Sequence, residues 1–582
     1  MGVAIALLLG CSTADVASRS ASVGAGAAPA AAATAPIAGT NGLLVYGTHG
    51  AVASRSLLAS QVGVRVLREG GNAVDGAVAT GFALAVTYPS AGNLGGGGFM
   101  VIRLADGTVI ANDHREVAPK AATRDMYLDA QGQVVRGLST ASHLAVGVPG
   151  TVDGLLDVLQ RYGKLSRQQV LAPAIVLARD GFALTDDLAQ QFNETRAAMQ
   201  RYPSSLAVFT KADGSDWRAG DVWKQPDLAN TLQRISDLGR DGFYAGPVAA
   251  GIVAEMQRGN GLINADDLRN YKSRFREALH GTYRGYDIYT MPPPSSGGVL
   301  LLQMLNMLEP YDVHGLGRSA PALVHLMIEA ERRAYADRAE HLGDPDFHPV
   351  PVAQLIGKDY ARFRMRDVNP LKATPSDQIA AGRVPYESPE TTHSSIVDGA
   401  GNAVSYTTTL NLSYGSKIVA AGTGMLLNNE MDDFSSKPNT ANSYGLLGRV
   451  ANEIQPGKRM LSSMTPTIVT RAGKLELVTG SPGGSTIITT VLQVVLNSLD
   501  HGMVVDAAVA APRFHHQWQP DRVIYEADGL DASTLEQLKA MGHTMMLLPF
   551  ADGIGDANSV RVVQGDLQAA HDPRNDGGSA GY

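Results

Sequence analysis

Between residues 56 and 71, Leu58, Val62 and Val66 recur at four-residue intervals and two glycines close the run. That spacing predicts an amphipathic helix with a glycine stop. Residues 73–86 are more apolar and predict a second, buried helix. Residues 99–104 and 108–113 read as two strands turned by Asp106-Gly107, a hairpin signal. Amphipathic helical stretches then dominate from about 148 to 272, and another helix is expected over 322–342. Residues 369–390 are polar and weakly patterned. From His393 the period changes to that of strands, over 393–397 and 403–409, around the turn Asp398-Gly399-Ala400-Gly401-Asn402. A further hairpin is expected from 466–470 and 475–480 around Ala472-Gly473. A helix follows over 486–497. No internal repeat interrupts the sequence.

Composition narrows the class. The 582 residues are 44% hydrophobic and 18% charged, ordinary for a globular protein with a large core. A formal net charge of −8 and the lack of any long Lys/Arg run argue against nucleic-acid binding. The 14 histidines fall at no metal-ligand spacing, and there is no HExxH or CxxC motif, so neither a metal nor a cofactor is expected. His515-His516 would point to opposite sides of a strand, as structural residues.

The single cysteine ends the apolar run of residues 1–11, in Leu8-Leu9-Gly10-Cys11. The run is too short to span a bilayer and suits a signal-peptide core. Its end resembles a bacterial lipobox, in which the cysteine is acylated. The resemblance implies a signal over 1–11, lipid attachment at Cys11, and a cell-envelope location at the periplasmic face of a membrane. Residues 12–41, rich in Ala, Ser, Gly and Thr, read as a tether.

Candidate chemistry concentrates after residue 390. Thr391, Thr392, Ser394 and Ser395 crowd hydroxyls where the polar stretch gives way to a strand. A cut before Thr391 would give it a free α-amine, titrating at about pH 7.7–8.0, beside its own hydroxyl. That pairing is an activated nucleophile. Ser481-Pro482-Gly483-Gly484-Ser485 joins a strand to a helix, so its backbone N–H groups suit an oxyanion. Arg115 is a natural bidentate partner for a carboxylate. Asn428-Asn429-Glu430-Met431-Asp432-Asp433 gathers acceptors for an ammonium, and Ser462-Ser463 offers adjacent hydroxyls. Singly, each also reads as an ordinary junction, connector, ion pair or cap.

In order and spacing, these segments resemble the γ-glutamyltransferase family from about Gly42 to Tyr582. So do Arg68-Glu69-Gly70-Gly71-Asn72-Ala73-Val74-Asp75-Gly76-Ala77, Pro293-Pro294-Ser295-Ser296-Gly297-Gly298, Leu426-Leu427-Asn428-Asn429 and Ala511-Pro512-Arg513-Phe514-His515. The resemblance implies an α+β, N-terminal nucleophile hydrolase fold: a four-layer αββα sandwich with two stacked antiparallel sheets. It implies self-cleavage between Glu390 and Thr391 into a large subunit, 42–390, and a small one of 582 − 390 = 192 residues that remain together. It makes Thr391 the nucleophile, with Thr409 orienting its amine. Arg115, Ser462 and Ser463 would hold the substrate α-carboxylate, and Asn411, Glu430 and Asp433 its α-amino group. Gly483 and Gly484 would supply the oxyanion donors, and residues 438–449 a lid latched by Tyr444 on Asn411. The expected substrates are glutathione-type γ-glutamyl donors, with water, amino acids or peptides as acceptors.

A γ-glutamyl group carries an ammonium and a carboxylate on one carbon, so its site needs an acidic wall and an arginine wall. Two other readings compete. An acylase for glutaryl side chains of cephalosporin-type amides would have less use for Asp433, because glutaryl lacks the amine. A non-catalytic envelope lipoprotein would have no need of Thr391, Thr409, Gly483 and Gly484 together.

Overall fold

The computed structural model describes residues 43–380, 391–437, 440, 442–548 and 553–582. The signal, the tether, Cys11, Glu390 and Pro438 lie outside them. Two seven-stranded sheets dominate. The first runs, edge to edge, Gly578–Gly581, Gly50–Ser54, Thr392–Asp398, Ala403–Thr409, Gly97–Arg103, Val109–Asp113 and Arg274–Glu277. The second runs Leu44–Gly47, Asp566–Ala570, Ser559–Val563, Lys474–Thr479, Thr467–Arg471, Tyr286–Thr290 and Leu279–Tyr283. Every pairing within both sheets is antiparallel.

Period-two alternation assigns each strand one face to each of two cores. Ala51, Ala53, Val101, Val397 and Ala403 meet Ile468, Val478, Val560 and Ala569 between the sheets. The alternate residues Val52, Met100, Ile102, Ile396 and Val404 face a helical layer that includes Leu57–Arg68 and Ala73–Thr87. On the far side, Ile288, Val469 and Leu477 pack with residues of the helices Gly297–Leu308, Pro321–His341 and Ile487–Leu499. The result is helix, sheet, sheet, helix, with both sheets covered on both faces.

Leu57–Arg68 is capped by Ser56 and Ala73–Thr87 by an Asn72–Asp75 capping box, which satisfies donors left over at each first turn. Part of the space between the sheets is polar: the Ser395 hydroxyl donates to Asn558 C=O at 2.8 Å and the Ser405 hydroxyl to Thr479 C=O at 2.9 Å. Among the described residues, no helix is long and apolar enough to cross a membrane.

Candidate active site

Thr391 immediately precedes the inner strand Thr392–Asp398. The register pairs Thr392 with Thr408, so one further step sets Thr391 beside Thr409, at the end of Ala403–Thr409. Thr391 is 4% exposed. The Thr409 hydroxyl accepts the Asn411 N–H at 2.7 Å, and Asn93 Nδ2 donates to Thr409 C=O at 2.8 Å. The glycine run before Gly97–Arg103 permits this packing. A Cβ at Gly96 would collide with Thr409 C=O, and one at Gly98 with Thr407 C=O.

Arg115 follows the strand Val109–Asp113 and is wholly buried. Its Nη1 donates to Glu430 and its Nη2 to Asp433, while Nε and Nη2 also reach the C=O groups of Met460 and Leu461, each at 3.3 Å. Glu116 lies 3.8 Å from the same guanidinium and is equally buried. The arginine wall and the acidic wall are therefore in direct contact, rather than facing each other across an open pocket. One cation cannot compensate three buried carboxylates, so burial wins on the acids. It pushes Glu116 up to about 7 and Asp433 up to about 6 against the pull of Arg115, and Glu430 well above the carboxylate range. Burial opposes the Arg115 charge, but Glu430, Asp433 and Glu116 outweigh it and hold the guanidinium firmly protonated. The cluster titrates as a unit.

Gly483 and Gly484 have φ of 136° and 53°, in the left-handed half of φ space that favours glycine. They lead through the turn Gly484–Thr486 into Ile487–Leu499, where first-turn N–H groups lack intrahelical acceptors. The ring of Tyr444 lies against Gly484, where a Cβ would strike it. The Tyr444 hydroxyl donates to Asn411 C=O at 2.5 Å. Ser463 accepts from Arg338 Nη2 at 3.3 Å, and Ser462 C=O from the Ser296 N–H at 2.8 Å.

An inner cavity of about 20 Å³ is lined by Thr391, Thr409, Arg115, Asn411, Glu430, Asp433, Tyr444, Ser462, Ser463 and Gly484. A larger cavity of about 560 Å³ has Gly483, Tyr414, His515 and Gln517 in its wall and meets the inner one at Thr391, which lines both. The structure thus gathers every described site residue expected from the sequence around one hydroxyl.

It also adds residues that the sequence did not single out. Glu116 joins the charge cluster. Arg338, from the helix Pro321–His341, braces Ser296 and Ser463. Gln517 touches the segment bearing Tyr444. A buried helix that is rich in charge, such as 329–338, was the available signal for Arg338; Glu116 was readable only as an ordinary ion-pair partner of the adjacent Arg115, and Gln517 gave no signal. Elsewhere, potential ligand atoms of His325, Glu329 and His543 lie within 4.8 Å of one another, a convergence that spacing did not reveal. His325 Nδ1 meets His543 Nε2 at 2.8 Å, and Glu329 accepts from Thr374 N–H and Arg333.

Stacked antiparallel sheets between helical layers, with a buried threonine at the head of an inner strand, are the arrangement of N-terminal nucleophile hydrolases. The family model for gamma-glutamyltranspeptidase matches residues 59–582, and the chain belongs to that family. It is 50% identical to a glutathione hydrolase proenzyme of Escherichia coli strain K12 over 542 residues, covering 92% of this chain and 93% of that one. Among solved structures, a cephalosporin acylase from Bacillus halodurans superposes with a TM-score of 0.82 at 26% identity, covering 94% of this chain and 98% of that one. The gamma-glutamyltranspeptidase of Helicobacter pylori matches at 48% identity and a TM-score of 0.55, over 56% of this chain and 93% of that one.

Proposed function

We propose that the protein cleaves the γ-glutamyl amide of glutathione and related compounds, through an acyl ester on Thr391, and passes the acyl group to water or to an amine. One observation carries the reading: Thr391 shares its cavity with a buried guanidinium and two carboxylates, Glu430 and Asp433. A γ-glutamyl donor brings the opposite charges, a carboxylate for Arg115 and an ammonium for Glu430 and Asp433, and so can replace the internal pairing with its own.

The hydroxyl of Thr391 adds to the γ-carbonyl as its α-amine takes the proton. The oxyanion is held by N–H groups at Gly483 and Gly484; as it collapses, the C–N bond of the amide breaks and the substrate's amine leaves with the proton handed on by the Thr391 ammonium. Water or an acceptor amine then repeats the addition in the larger cavity. The retained Asp433 and Glu430 support γ-glutamyl over glutaryl amides.

The same hydroxyl attacks the Glu390 carbonyl during maturation. Thr391→Ala is therefore expected to stay a single chain near 61.1 kDa and to release no product from a γ-glutamyl anilide, while the wild type gives two bands and turns over. Two bands from the alanine variant would remove the central assignment.

Export and lipid anchoring belong to the same proposal and rest on Leu8-Leu9-Gly10-Cys11. Two or more acyl chains give stable membrane attachment where one is marginal. The protein should fractionate with membranes, and Cys11→Ala should release or retain it as a soluble form. A mature wild type that is soluble and begins well beyond Cys11 would exclude the anchor.

A further inference from the structure

We infer that Gln517 is a positioning residue that ties the Tyr444 segment to the oxyanion turn, so that closure over the donor and placement of the oxyanion donors are one movement. The inference rests on the γ-glutamyl reading and assigns a role to a residue just outside the inner cavity.

The side-chain amide of Gln517 is fully committed. Its Nε2 donates to Tyr444 C=O at 3.2 Å and to Gln519 C=O at 3.3 Å. Its Oε1 accepts the Ser485 hydroxyl at 2.7 Å and faces His515 Nε2 at 3.0 Å. Two hydrogens meet two carbonyls and one oxygen meets two donors, which fixes the orientation of the amide. Because Oε1 only accepts, His515 must carry its proton on Nε2. Burial keeps that imidazole neutral, with its basicity pushed down to about 3.

Two of these four partners, Ser485 and Tyr444, adjoin the oxyanion turn and the donor pocket. Ser485 follows Gly484 directly, and its C=O takes the Tyr335 hydroxyl. Tyr335 meets the His515 ring edge-on, at 5.6 Å between centroids and 87°. Beyond the bond of its own N–H to Asn442 Oδ1, Tyr444 makes three contacts with the site: its hydroxyl on Asn411 C=O, its ring on Gly484, and its own C=O on Gln517. The first two are contacts with the donor pocket. The third crosses to the wall of the larger cavity, where Gln517 and Ser485 both stand.

Two near-isosteric variants separate the links. Gln517→Glu retains lone pairs for Ser485 and His515 but turns a carboxylate oxygen toward the Tyr444 and Gln519 carbonyls. Gln517→Met keeps the length and removes all four bonds. Both should mature into two subunits, with thermal midpoints within a few degrees of the wild type.

With a γ-glutamyl anilide, Gln517→Glu should raise KM about tenfold, the scale of one lost hydrogen bond, and leave kcat within about threefold. Gln517→Met should raise KM similarly and also lower kcat at least about tenfold, because the turn at Ser485 loses its acceptor. A merely structural role would not split the two parameters in this way. An unchanged KM in Gln517→Glu, or equal losses of kcat in both variants, would overturn the assignment.

If Gln517→Glu does not mature, the cycle of Tyr444→Phe with Gln517→Met decides. The two KM effects should combine to less than their product, since both loosen one segment, and a simple product would overturn the link. Turnover by the wild type is measured first, so failure of the γ-glutamyl reading is seen separately from failure of this one.

Discussion

At the scale of one residue, the proposed discrimination between γ-glutamyl and glutaryl donors rests on Asp433. It pairs with Arg115 at the wall of the inner cavity, and Asn442 Nδ2 donates to its other oxygen at 3.1 Å. Removing one partner of a desolvated pair costs about 2–5 kcal/mol, largely by stranding the other charge. Asp433→Asn should therefore lower kcat/KM for γ-glutamyl donors by about two orders of magnitude or more, while cleavage before Thr391 proceeds. The loss should be smaller on glutaryl amides, which bring no ammonium to strand. Parallel kinetics on the two substrates settle the matter, and equal losses would make Asp433 structural. The hydroxyls, the arginine and the acids were all legible in the sequence as types. That Arg115 already lies on Glu430 and Asp433 was not, because contacts across some 315 residues leave no local signal.

At the scale of elements, the turn at Gly483–Gly484 does work no other residue could. Gly484 has φ of 53°, a region L side chains rarely adopt, and the Tyr444 ring leaves no room for a Cβ. Gly484→Ala should fold and mature poorly or, where it matures, lose about 100- to 1,000-fold in kcat, the range for one displaced oxyanion donor. A variant with wild-type kcat would place the oxyanion elsewhere.

The same scale shows where pattern failed. The helix Leu57–Arg68 and the hairpin Thr467–Arg471 with Lys474–Thr479 agree with expectation because each has a distinct buried face or turn. The helix Gly297–Leu308 is buried all round, so its apolar run has no period to read. The strands Gly50–Ser54 and Gly578–Gly581 are short, made of small residues and covered on both faces, and neither alternates in polarity.

At the scale of the whole molecule, the boundary at Thr391 does not divide the fold. In the first sheet, Thr392–Asp398 pairs with Gly50–Ser54, which pairs with Gly578–Gly581, and Ala403–Thr409 pairs with Gly97–Arg103. In the second, Leu44–Gly47 lies on Asp566–Ala570 and Thr467–Arg471 on Tyr286–Thr290. Each sheet thus mixes strands from both sides of Thr391, and Tyr582 C=O accepts the N–H groups of Thr48 and His49 at 2.7 and 2.8 Å.

Such interleaving makes the proposed cut a one-way ratchet. Before it, the two parts find each other as segments of one tethered chain, at the effective concentration their connection provides. After it, native pairing is retained only because the sheets are already closed, and unfolding converts a unimolecular search into a bimolecular one. Mature protein taken through denaturant should regain activity poorly and in proportion to its concentration, whereas the uncut Thr391→Ala chain should regain its native circular dichroism at any dilution. Equal, concentration-independent recovery of both would show that the halves fold apart. Poor recovery of the mature form, as expected, makes this a molecule whose working form cannot be rebuilt from its own parts, and whose lifetime is set by how slowly it opens.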